Sequence, residues 1–417
     1  MKKFLLLLAV FVSFVTYSQE KCAAHTKHNE RLANDPAYAE AMHLAQSKAK
    51  AWQQTHQNGT EKVTLTIPVV VHVLYKTPDQ NISQAQIQSQ IDVLNTDYRA
   101  LNQIDLPAYF DSLKADIDVE FCLASVDPDG NPTDGITRTS TTGGTLFGYF
   151  SPFNDDIKYD SLGGKNCWPT DKYLNLWVGE LFPGLLGYAQ FPGDPKVNAD
   201  GVAITTTAFG TTGNVDPISA GGRTATHEIG HWMGLYHIWG DEDACVGSDT
   251  IADTPNMAAA SNQGCDSLAN TCSNEDAFWG SFDPTDMVFN YMDYSSDTCM
   301  GMFTKGQKMR MHGFLNTDPR RMGLATSNGC AFMGIKEDVE SMFTLSPNPT
   351  TDNVRILFNT GDIATVQIVN AQGQLIAVYD ALSTGAEIDL SNLEVGVYLV
   401  QMMKNEKLVG IERLVKH

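Results

Sequence analysis

The sequence predicts an α+β fold for most of the chain, followed by a separate all-β sandwich at its C-terminal end. Three patterns lead to this prediction. Apolar runs and a helical repeat alternate over residues 67–209, as in a twisted mixed sheet backed by helices. Residues 240–286 are irregular and rich in Asp, Asn, Ser and Gly. Short alternating segments return after residue 342, where strands are predicted at 354–358, 365–369, 375–379, 387–390 and 397–402.

The first of these regions is predicted to run in the order strand, helix, strands, helix. The opening strand covers 67–75 and contains His72, which we interpret as a core residue rather than a ligand. A helix over 83–98 begins at Ser83, a residue type that caps helix N-termini. A second helix begins near Gly222. The strands between them are predicted at 117–126, 173–181, 187–191 and 201–209.

The second helix carries a metal-binding motif, His-Glu-x-x-His-x-x-Gly-x-x-His. His227 and His231 are four residues apart, so on a helix they share one face and can hold one metal ion. Gly234 can adopt the left-handed conformation that ends a helix, and the chain can then turn back to present His237. Three protein ligands leave one zinc position open for water, which is typical of a catalytic site, and Glu228 is placed to activate that water. The motif predicts one catalytic Zn²⁺.

A second segment, Asn-Tyr-Met-Asp-Tyr at 290–294, extends the pattern. Met292 is predicted to pack beneath the metal without binding it. The alternative is an ordinary core methionine, since the chain has 15 of them. Tyr294 could donate a hydrogen bond to an oxyanion that forms during the reaction. Together the two segments resemble the signature of the metzincin zinc proteases, in which a Met-turn follows the histidine motif.

Within the metzincins, the chain resembles the pappalysin family, and most of all the secreted bacterial branch that includes ulilysin. The residues at 223–237, 240–241, 251–255 and 290–310 carry the resemblance, which extends more weakly over 67–209. It implies a zinc-dependent endopeptidase with a deep cleft between two subdomains, the lower one irregular and stapled by disulfides. It also implies that the short strand at 187–191 forms the upper edge of the cleft, where a substrate peptide can add as another strand.

Composition and the N-terminal segment predict an exported protein. A formal net charge of −21 argues against nucleic acid and anionic lipid as partners, because both are polyanions. Residues 1–18, with two lysines ahead of a short apolar run, are predicted to be a signal peptide. No later segment is long and apolar enough to cross a bilayer, so the protein is predicted not to span the membrane.

Residues 19–62 are predicted to form a pro-segment with a helix over 35–54, ahead of a catalytic domain at 63–330. A thiolate from Cys22 is a good fourth zinc ligand and could displace the catalytic water, which would keep the enzyme latent as in related proteases. A structural disulfide at Cys22 is an equal alternative on the residues alone.

The irregular region contains four cysteines, for which sequence alone allows three pairings. The family resemblance favours Cys245 with Cys272 and Cys265 with Cys299. The partners of the other three, Cys122, Cys167 and Cys330, are left open. Seven cysteines remain once Cys22 is removed, so at least one of them is expected to be free or to pair elsewhere.

The same region is predicted to bind calcium. Its acidic residues offer clustered oxygen ligands, and the resemblance supports Ca²⁺ because relatives carry it beside this segment. The best candidate ligands are Asp249, Asp253 and Thr254. Solvated acids on a loop are the alternative.

The segment after the Met-turn, 295–298, is predicted to line the pocket for the residue just after the cleaved bond. Asp297 is the acid best placed there, and a buried carboxylate selects a cationic side chain. The resemblance supports cleavage before basic residues, since relatives share that preference. The alternatives are a surface carboxylate or a contribution to the calcium site.

The C-terminal module is predicted at 342–417, after a linker at 331–341. Its Ser-Pro-Asn-Pro opening, short strands and basic end resemble the C-terminal sorting domain of type IX secretion cargo. This resemblance implies the type IX machinery as a partner and a location outside the cell or on its outer surface. A β-sandwich used for adhesion is the alternative.

The function predicted from the sequence is therefore that of a secreted zinc endopeptidase that acts on proteins or peptides and cuts before basic residues. The alternative is a catalytically inactive, zinc-binding surface adhesin of the same fold. The presence of Glu228, Tyr294 and all three histidines favours the enzyme, because an inactive relative would most readily lose Glu228.

Overall fold

The computed structural model divides the chain into two units, Met1–Ala331 and Phe332–His417. The predicted signal peptide and the predicted linker at 331–341 lie outside the described residues. The structure describes residues 21–56, 63–141, 147, 155–242, 244–262, 264–330, 343–358, 364–370, 375–404 and 407–417.

The first unit is built on a six-stranded sheet around one long central strand, β1. Side chains 67–74 of β1 are all buried, as a strand covered on both faces requires. The strand order is β2-β1-β4-β6-β5, with β3 also paired to β1, and every pair is parallel except β5 with β6. The strands are β1 Leu65–Tyr75, β2 Val119–Leu123, β3 Ile136–Ser140, β4 Leu174–Gly179, β5 Gly187–Ala189 and β6 Val202–Thr205.

The antiparallel strand β5 lies at the edge of this sheet and is only three residues long. The predicted mixed sheet is therefore confirmed, although the strands are shorter than the apolar runs that predicted them. Strand β3 was not predicted, because its sequence, Ile-Thr-Arg-Thr-Ser, is largely polar. Its side chains are partly exposed in the structure.

Seven α-helices surround the sheet in the described part of the first unit. Ser83 accepts a hydrogen bond from the Gln86 amide at 3.1 Å and so caps α3 as predicted. α3 packs on β2 and on α5, and α2 packs on α6. The helices are α1 Ala24–Asn34, α2 Pro36–Thr55, α3 Gln84–Tyr98, α4 Ala108–Asp111, α5 Arg223–Trp232, α6 Lys305–Leu315 and α7 Pro319–Leu324.

Of the two N-terminal helices, α2 was predicted from the sequence and α1 was not. α2 matches the predicted helix at 35–54: Asp35 caps it by accepting from the Tyr38 amide, and Pro36 occupies its first turn. α1 was not predicted, since it lacks an apolar stripe and buries Lys27 and His28 instead.

The chain between α5 and α6 forms no regular element among its described residues and is held by disulfides. Cys245 pairs with Cys272 and Cys265 with Cys299, the pairing that the family resemblance implied. A third disulfide joins Cys122 to Cys330 across 208 residues and fastens β2 to the end of the unit. Cys22 and Cys167 are free thiols.

The second unit consists of two antiparallel sheets around its own apolar core. One sheet has the order β11-β8-β7 and the other β10-β9-β12-β13. Five of the strands fall on predicted segments, whereas β7 and the C-terminal β13 were not predicted. The strands are β7 Phe343–Ser346, β8 Asn353–Phe358, β9 Ala364–Asn370, β10 Leu375–Leu382, β11 Glu387–Asp389, β12 Gly396–Lys404 and β13 Lys407–Lys416.

None of the helices in the described part of the chain combines the length and apolar character needed to cross a membrane.

Candidate active site

Helix α5 holds the first two histidines in the interior of the protein. It packs against α3, the edge strand β5 and its neighbour β6, so that every residue from Thr224 to Trp232 is buried. The chain enters the helix through Gly222, whose φ of 70° is the left-handed conformation that glycine adopts without strain.

The helix stops where the sequence predicted, at Gly234. This residue has a φ of 95°, and a Cβ atom there would lie 2.2 Å from the ring of Phe314. Only glycine fits the turn, because any side chain would meet both a strained backbone and an occupied space. The turn directs His237 back toward His227 and His231.

The three imidazole rings converge through their Nε2 atoms. The Nε2 separations are 3.1 Å from His227 to His237, 3.1 Å from His227 to His231, and 3.0 Å from His231 to His237. Each Nδ1 faces an oxygen: the Tyr291 carbonyl at 2.7 Å, the Leu235 carbonyl at 2.8 Å, and a carboxylate oxygen of Asp241 at 2.6 Å.

These contacts assign the tautomers of the rings. Because each Nδ1 donates its hydrogen to an oxygen, each Nε2 carries a lone pair, and three lone pairs face one point. Burial lowers the pKa of His227 to about 3, with His237 as a further cause, and lowers the pKa of His231 well below its usual value. Those two rings are therefore neutral at pH 7 and available as metal ligands.

The donor set fits Zn²⁺. Zn–N bonds of about 2.0–2.1 Å in a tetrahedral site would place the nitrogen atoms about 3.3 Å apart, close to the spacing found here. Asp241 fixes the orientation of His237, as carboxylates commonly do for metal-bound histidines.

Cys22 supplies a fourth donor atom. Its Sγ and the three histidine nitrogens all lie within 4.8 Å of one another, and among the described residues no other group of three or more His, Cys, Asp or Glu side chains is gathered for a metal ion. Burial and the Glu228 carboxylate raise the pKa of the Cys22 thiol well above its usual value. A bound cation would reverse this preference, because a coordinating thiol is deprotonated.

Glu228 lies between the histidines and the edge strand. Its side chain is buried, and its Oε2 accepts a hydrogen bond from Cys22 Sγ at 3.4 Å. Gly187 of β5 allows this close approach, since a Cβ atom at that position would lie 2.8 Å from Glu228 Cγ. The carboxylate is thus held beside the histidine cluster without taking part in it.

Met292 and Tyr294, the two residues singled out in the predicted Met-turn, both lie beside the histidines. Met292 is fully buried, and its Sδ would lie 2.5 Å from a Cβ atom at Gly230, so it packs against α5 beneath the histidines. The ring centre of Tyr294 is 4.9 Å from that of His237. The Tyr294 hydroxyl donates to the Cys22 carbonyl at 3.3 Å, which shows that it can reach a peptide oxygen at this site.

A buried network behind α5 was missed by sequence reasoning. Asp97 of α3 accepts hydrogen bonds from Thr226 Oγ1 and from the Tyr291 hydroxyl, both at 2.8 Å, and forms an ion pair with Arg223 at 3.1 Å. Because the Tyr291 carbonyl accepts from His227, Asp97 positions the metal-binding helix and the Met-turn together. A single aspartate in a polar helical repeat gives no signal of such a role.

The N-terminal segment crosses this site as an extended peptide. Cys22 pairs with Gly187 in a parallel bridge, the Leu186 amide donates to the Lys21 carbonyl at 2.8 Å, and the Ala23 amide donates to the Gly187 carbonyl at 3.2 Å. The chain then enters α1 and α2, which pack on the rest of the unit. The edge strand thus binds a peptide segment of the protein itself.

Lys21 lies in a pocket next to the histidines, which Asp293 and Asp297 also line. Its Nζ donates to the Tyr294 carbonyl at 3.1 Å. Burial lowers the pKa of Lys21, and the two aspartates oppose that shift. Asp297 accepts from the Arg223 amide at 3.1 Å, so the first turn of α5 holds its carboxylate in place.

The predicted calcium ligands are brought only partly together. Asp249 is buried and accepts from the Thr254 hydroxyl at 2.8 and 2.9 Å. Burial raises the pKa of Asp249 to about 7, and Asp253 contributes in the same direction. Asp253 itself accepts from the Thr304 hydroxyl and the Gly306 amide, both at 2.7 Å, and so holds the start of α6.

The fold and the site together define a metalloprotease of the metzincin type: three convergent histidines, a neighbouring glutamate, a Met-turn, and an edge strand that binds peptide backbone. The model of the pregnancy-associated plasma protein-A family matches residues 158–316. A model of a secretion system C-terminal sorting domain matches residues 344–417. The chain belongs to the pappalysin family of metalloproteases and ends in a type IX secretion sorting domain.

Similar proteins support both the fold and the enzyme class. A mutant of promirolysin from Tannerella forsythia is 41% identical, covers 74% of this chain and 97% of its own, and has a TM-score of 0.64. Mature mirolysin from the same organism, in complex with a cleaved peptide, is 47% identical over 63% of this chain and 96% of its own, with a TM-score of 0.57. An extracellular metalloprotease of Verticillium alfalfae is 32% identical over 66% of this chain and 86% of its own.

Proposed function

We propose that the mature protein is a zinc endopeptidase in which His227, His231 and His237 hold one catalytic metal ion. The observation that carries this proposal is the convergence of three Nε2 lone pairs whose Nδ1 hydrogens are all engaged elsewhere. When bound, zinc supplies a Lewis acid that polarises a peptide carbonyl and lowers the pKa of water to about 7.

Two other side chains act on the reacting peptide. Glu228 is placed to accept a proton from the attacking water and to pass it to the leaving amine, because its carboxylate lies between the histidines and the strand that binds the peptide. The Tyr294 hydroxyl, which donates to a peptide carbonyl in this structure, stabilises the oxyanion that develops there.

Replacement of Glu228 separates this mechanism from an inactive, adhesive role. Glu228→Ala should retain zinc and thermal stability but lower kcat by roughly four orders of magnitude or more, since a general base and an essential proton carrier are lost. Peptide hydrolysis and zinc content are measured on the same preparation. Glu275→Gln, at an exposed loop position, is the control and should be fully active. Substantial proteolysis by the Glu228 variant would contradict the assignment.

We also propose that the enzyme cuts before basic residues. Lys21 supports this preference, because it is the residue next to Cys22 and places a cation in the pocket that Asp293 and Asp297 line. A substrate bound over the histidines would present the residue after the cleaved bond to the same pocket. The half-buried Asp297 carboxylate then recognises Lys or Arg.

Asp297→Asn tests this preference without disturbing α5, since the amide oxygen can still accept from the Arg223 amide. The ratio of kcat/KM for peptides with Lys and with Gln after the cleaved bond should fall by roughly tenfold or more, because the lysine then faces an uncharged amide oxygen in place of a carboxylate. Cleavage-site profiling of a peptide library gives the same answer independently. The pocket assignment is wrong if the mutant keeps the wild-type preference.

Latency through Cys22 is a further proposal. The segment that holds Cys22 pairs with the edge strand, fills the acidic pocket and covers the histidines at once, so no substrate can bind. Its thiolate would complete the ligand set of the metal in the zymogen.

Cys22→Ala should make the zymogen mature earlier than the wild type, or accumulate as degradation products, because the fourth ligand is absent. Ser47→Ala, an exposed change within the same pro-segment, should mature at the wild-type rate. Maturation is followed by electrophoresis from the time of refolding. Identical time courses for the Cys22 variant and the wild type would leave steric blockage by α1 and α2 as the cause of latency.

We propose a structural Ca²⁺ site that includes Asp249 and Thr254, with Asp253 nearby. The buried Asp249 carboxyl supports it, since a cation would offset the cost that burial places on its charge. Removal of Ca²⁺ with a selective chelator should lower the Tm by several degrees and reduce activity while zinc is retained. Metal analysis of dialysed, active protein that finds zinc without calcium would refute this site.

Finally, we propose that the protein reaches the outside of the cell by means of its N-terminal signal and the type IX machinery. The match of the second unit to a secretion sorting domain supports this route. A chain that ends at residue 330 should keep its fold and stay inside the cell envelope. Its appearance in the medium at the full-length level would contradict the proposal.

A further inference from the structure

Helix α1 inserts two cations into the catalytic part of the protein beyond the histidine cluster. Lys27 and Arg31 are four residues apart and therefore lie on the same face of the helix. Lys27 forms a buried ion pair with Asp155, and its Nζ lies 4.8 Å from the ring centre of Tyr188. Arg31 forms an ion pair with the buried carboxylate of Asp194.

Asp155 and Asp194 differ in the contacts that remain to them when the pro-segment is removed. Asp155 retains Lys158, whose Nζ lies 3.6 Å away and is buried with it. Among the described residues, Asp194 keeps a hydrogen bond from the Lys196 amide to its Oδ1 at 2.8 Å, and no second ion pair to it is formed. The neighbouring cation Arg320 is already paired with Asp318 and Asp200. Removal of Arg31 therefore leaves the Asp194 carboxylate in need of a cation.

Asp194 lies close to the metal site on a firmly held segment. Phe191, three residues earlier, packs on His231 with ring centres 5.4 Å apart. The amide of Gly193 donates to Asp318 at 2.7 Å, which ties this segment to the start of α7. The carboxylate can therefore keep its position when the pro-segment leaves.

The path of the pro-segment indicates whether Asp194 lies beside the substrate residues that precede the cleaved bond or beside those that follow it. The chain runs from Lys21 in the Asp297 pocket, over the histidines at Cys22, to Arg31 at Asp194. A substrate with its residue after the cleaved bond in the Asp297 pocket must place the preceding residues beyond the metal, on the side of Asp194.

We propose that Asp194 forms a second specificity site in the mature enzyme and binds a Lys or Arg side chain four to six residues before the cleaved bond. With Lys21 in the Asp297 pocket, Cys22, Ala23 and Ala24 stand for the first three residues before that bond. Arg31 lies at most about 11 Å along the helix axis from Ala24 at 1.5 Å per residue, and an extended peptide covers that distance in about three further residues. In the zymogen Arg31 occupies this site. The proposal rests on the proposed peptidase function and on the Asp297 pocket.

Paired peptides test the site. Each pair carries Lys after the cleaved bond and differs only in Arg or Gln at one of the three positions, and the mature forms of wild type, Asp194→Asn and Asp129→Asn are compared. Asp129 is an exposed loop acid, so its variant makes the same change of charge away from the cleft. At one position the wild type and Asp129→Asn should prefer Arg by roughly fivefold in kcat/KM, and Asp194→Asn should show a ratio near one.

Two further measurements test the site without relying on correct folding of the Asp194→Asn variant. Asp194→Glu, which keeps the charge, should retain part of the preference. In the wild type, the preference for Arg should shrink as salt rises, because a partly exposed ion pair is screened. Equal rates for Arg and Gln in the wild type, or an unchanged preference in Asp194→Asn, would overturn the inference. Loss of the requirement for Lys after the cleaved bond, or no cleavage of any peptide, would instead overturn the proposed function beneath it.

Discussion

The structure depends on one arrangement: three imidazoles with their Nε2 atoms facing a single point. Such an arrangement is unfavourable without a cation, because three acceptors at about 3 Å cannot hydrogen-bond to one another. The surrounding protein maintains it with fixed acceptors on each Nδ1, two of them backbone carbonyls and the third Asp241. This geometry also depends on the burial of α5, on the turn at Gly234 and on the packing of the Met-turn.

On the proposed function, one surface accounts for both latency and substrate recognition. The N-terminal segment binds to the edge strand through backbone hydrogen bonds, fills the acidic pocket with Lys21 and covers the histidines with Cys22. Under the same proposal, its cations mark the positions at which a substrate would place its own positive charge. Because β5 pairs with Cys22 in parallel, the hydrogen-bonding groups of the edge strand are already arranged for an extended chain before any substrate binds.

Local patterns in the sequence predicted the parts of this account that depend on local chemistry. The histidine spacing, Gly234 and Met292 follow from short-range geometry, and the α2 helix follows from its cap at Asp35 and from its periodicity. Contacts between distant parts of the chain could not be predicted in this way. The Cys122–Cys330 disulfide spans 208 residues, and the Asp97 network depends on how α3 packs against α5. Helix α1 was not predicted, because it is held in place by ion pairs with Asp155 and Asp194 rather than by an apolar stripe.

X-ray absorption spectroscopy at the zinc edge, applied to the zymogen and to the mature protein, tests the central claim most directly. The account predicts three nitrogen ligands in both forms. It predicts in addition one sulfur ligand at about 2.3 Å in the zymogen, replaced by a light atom after maturation and in Cys22→Ser. A zymogen spectrum without a sulfur ligand, or a mature protein with fewer than three imidazole ligands, would contradict it.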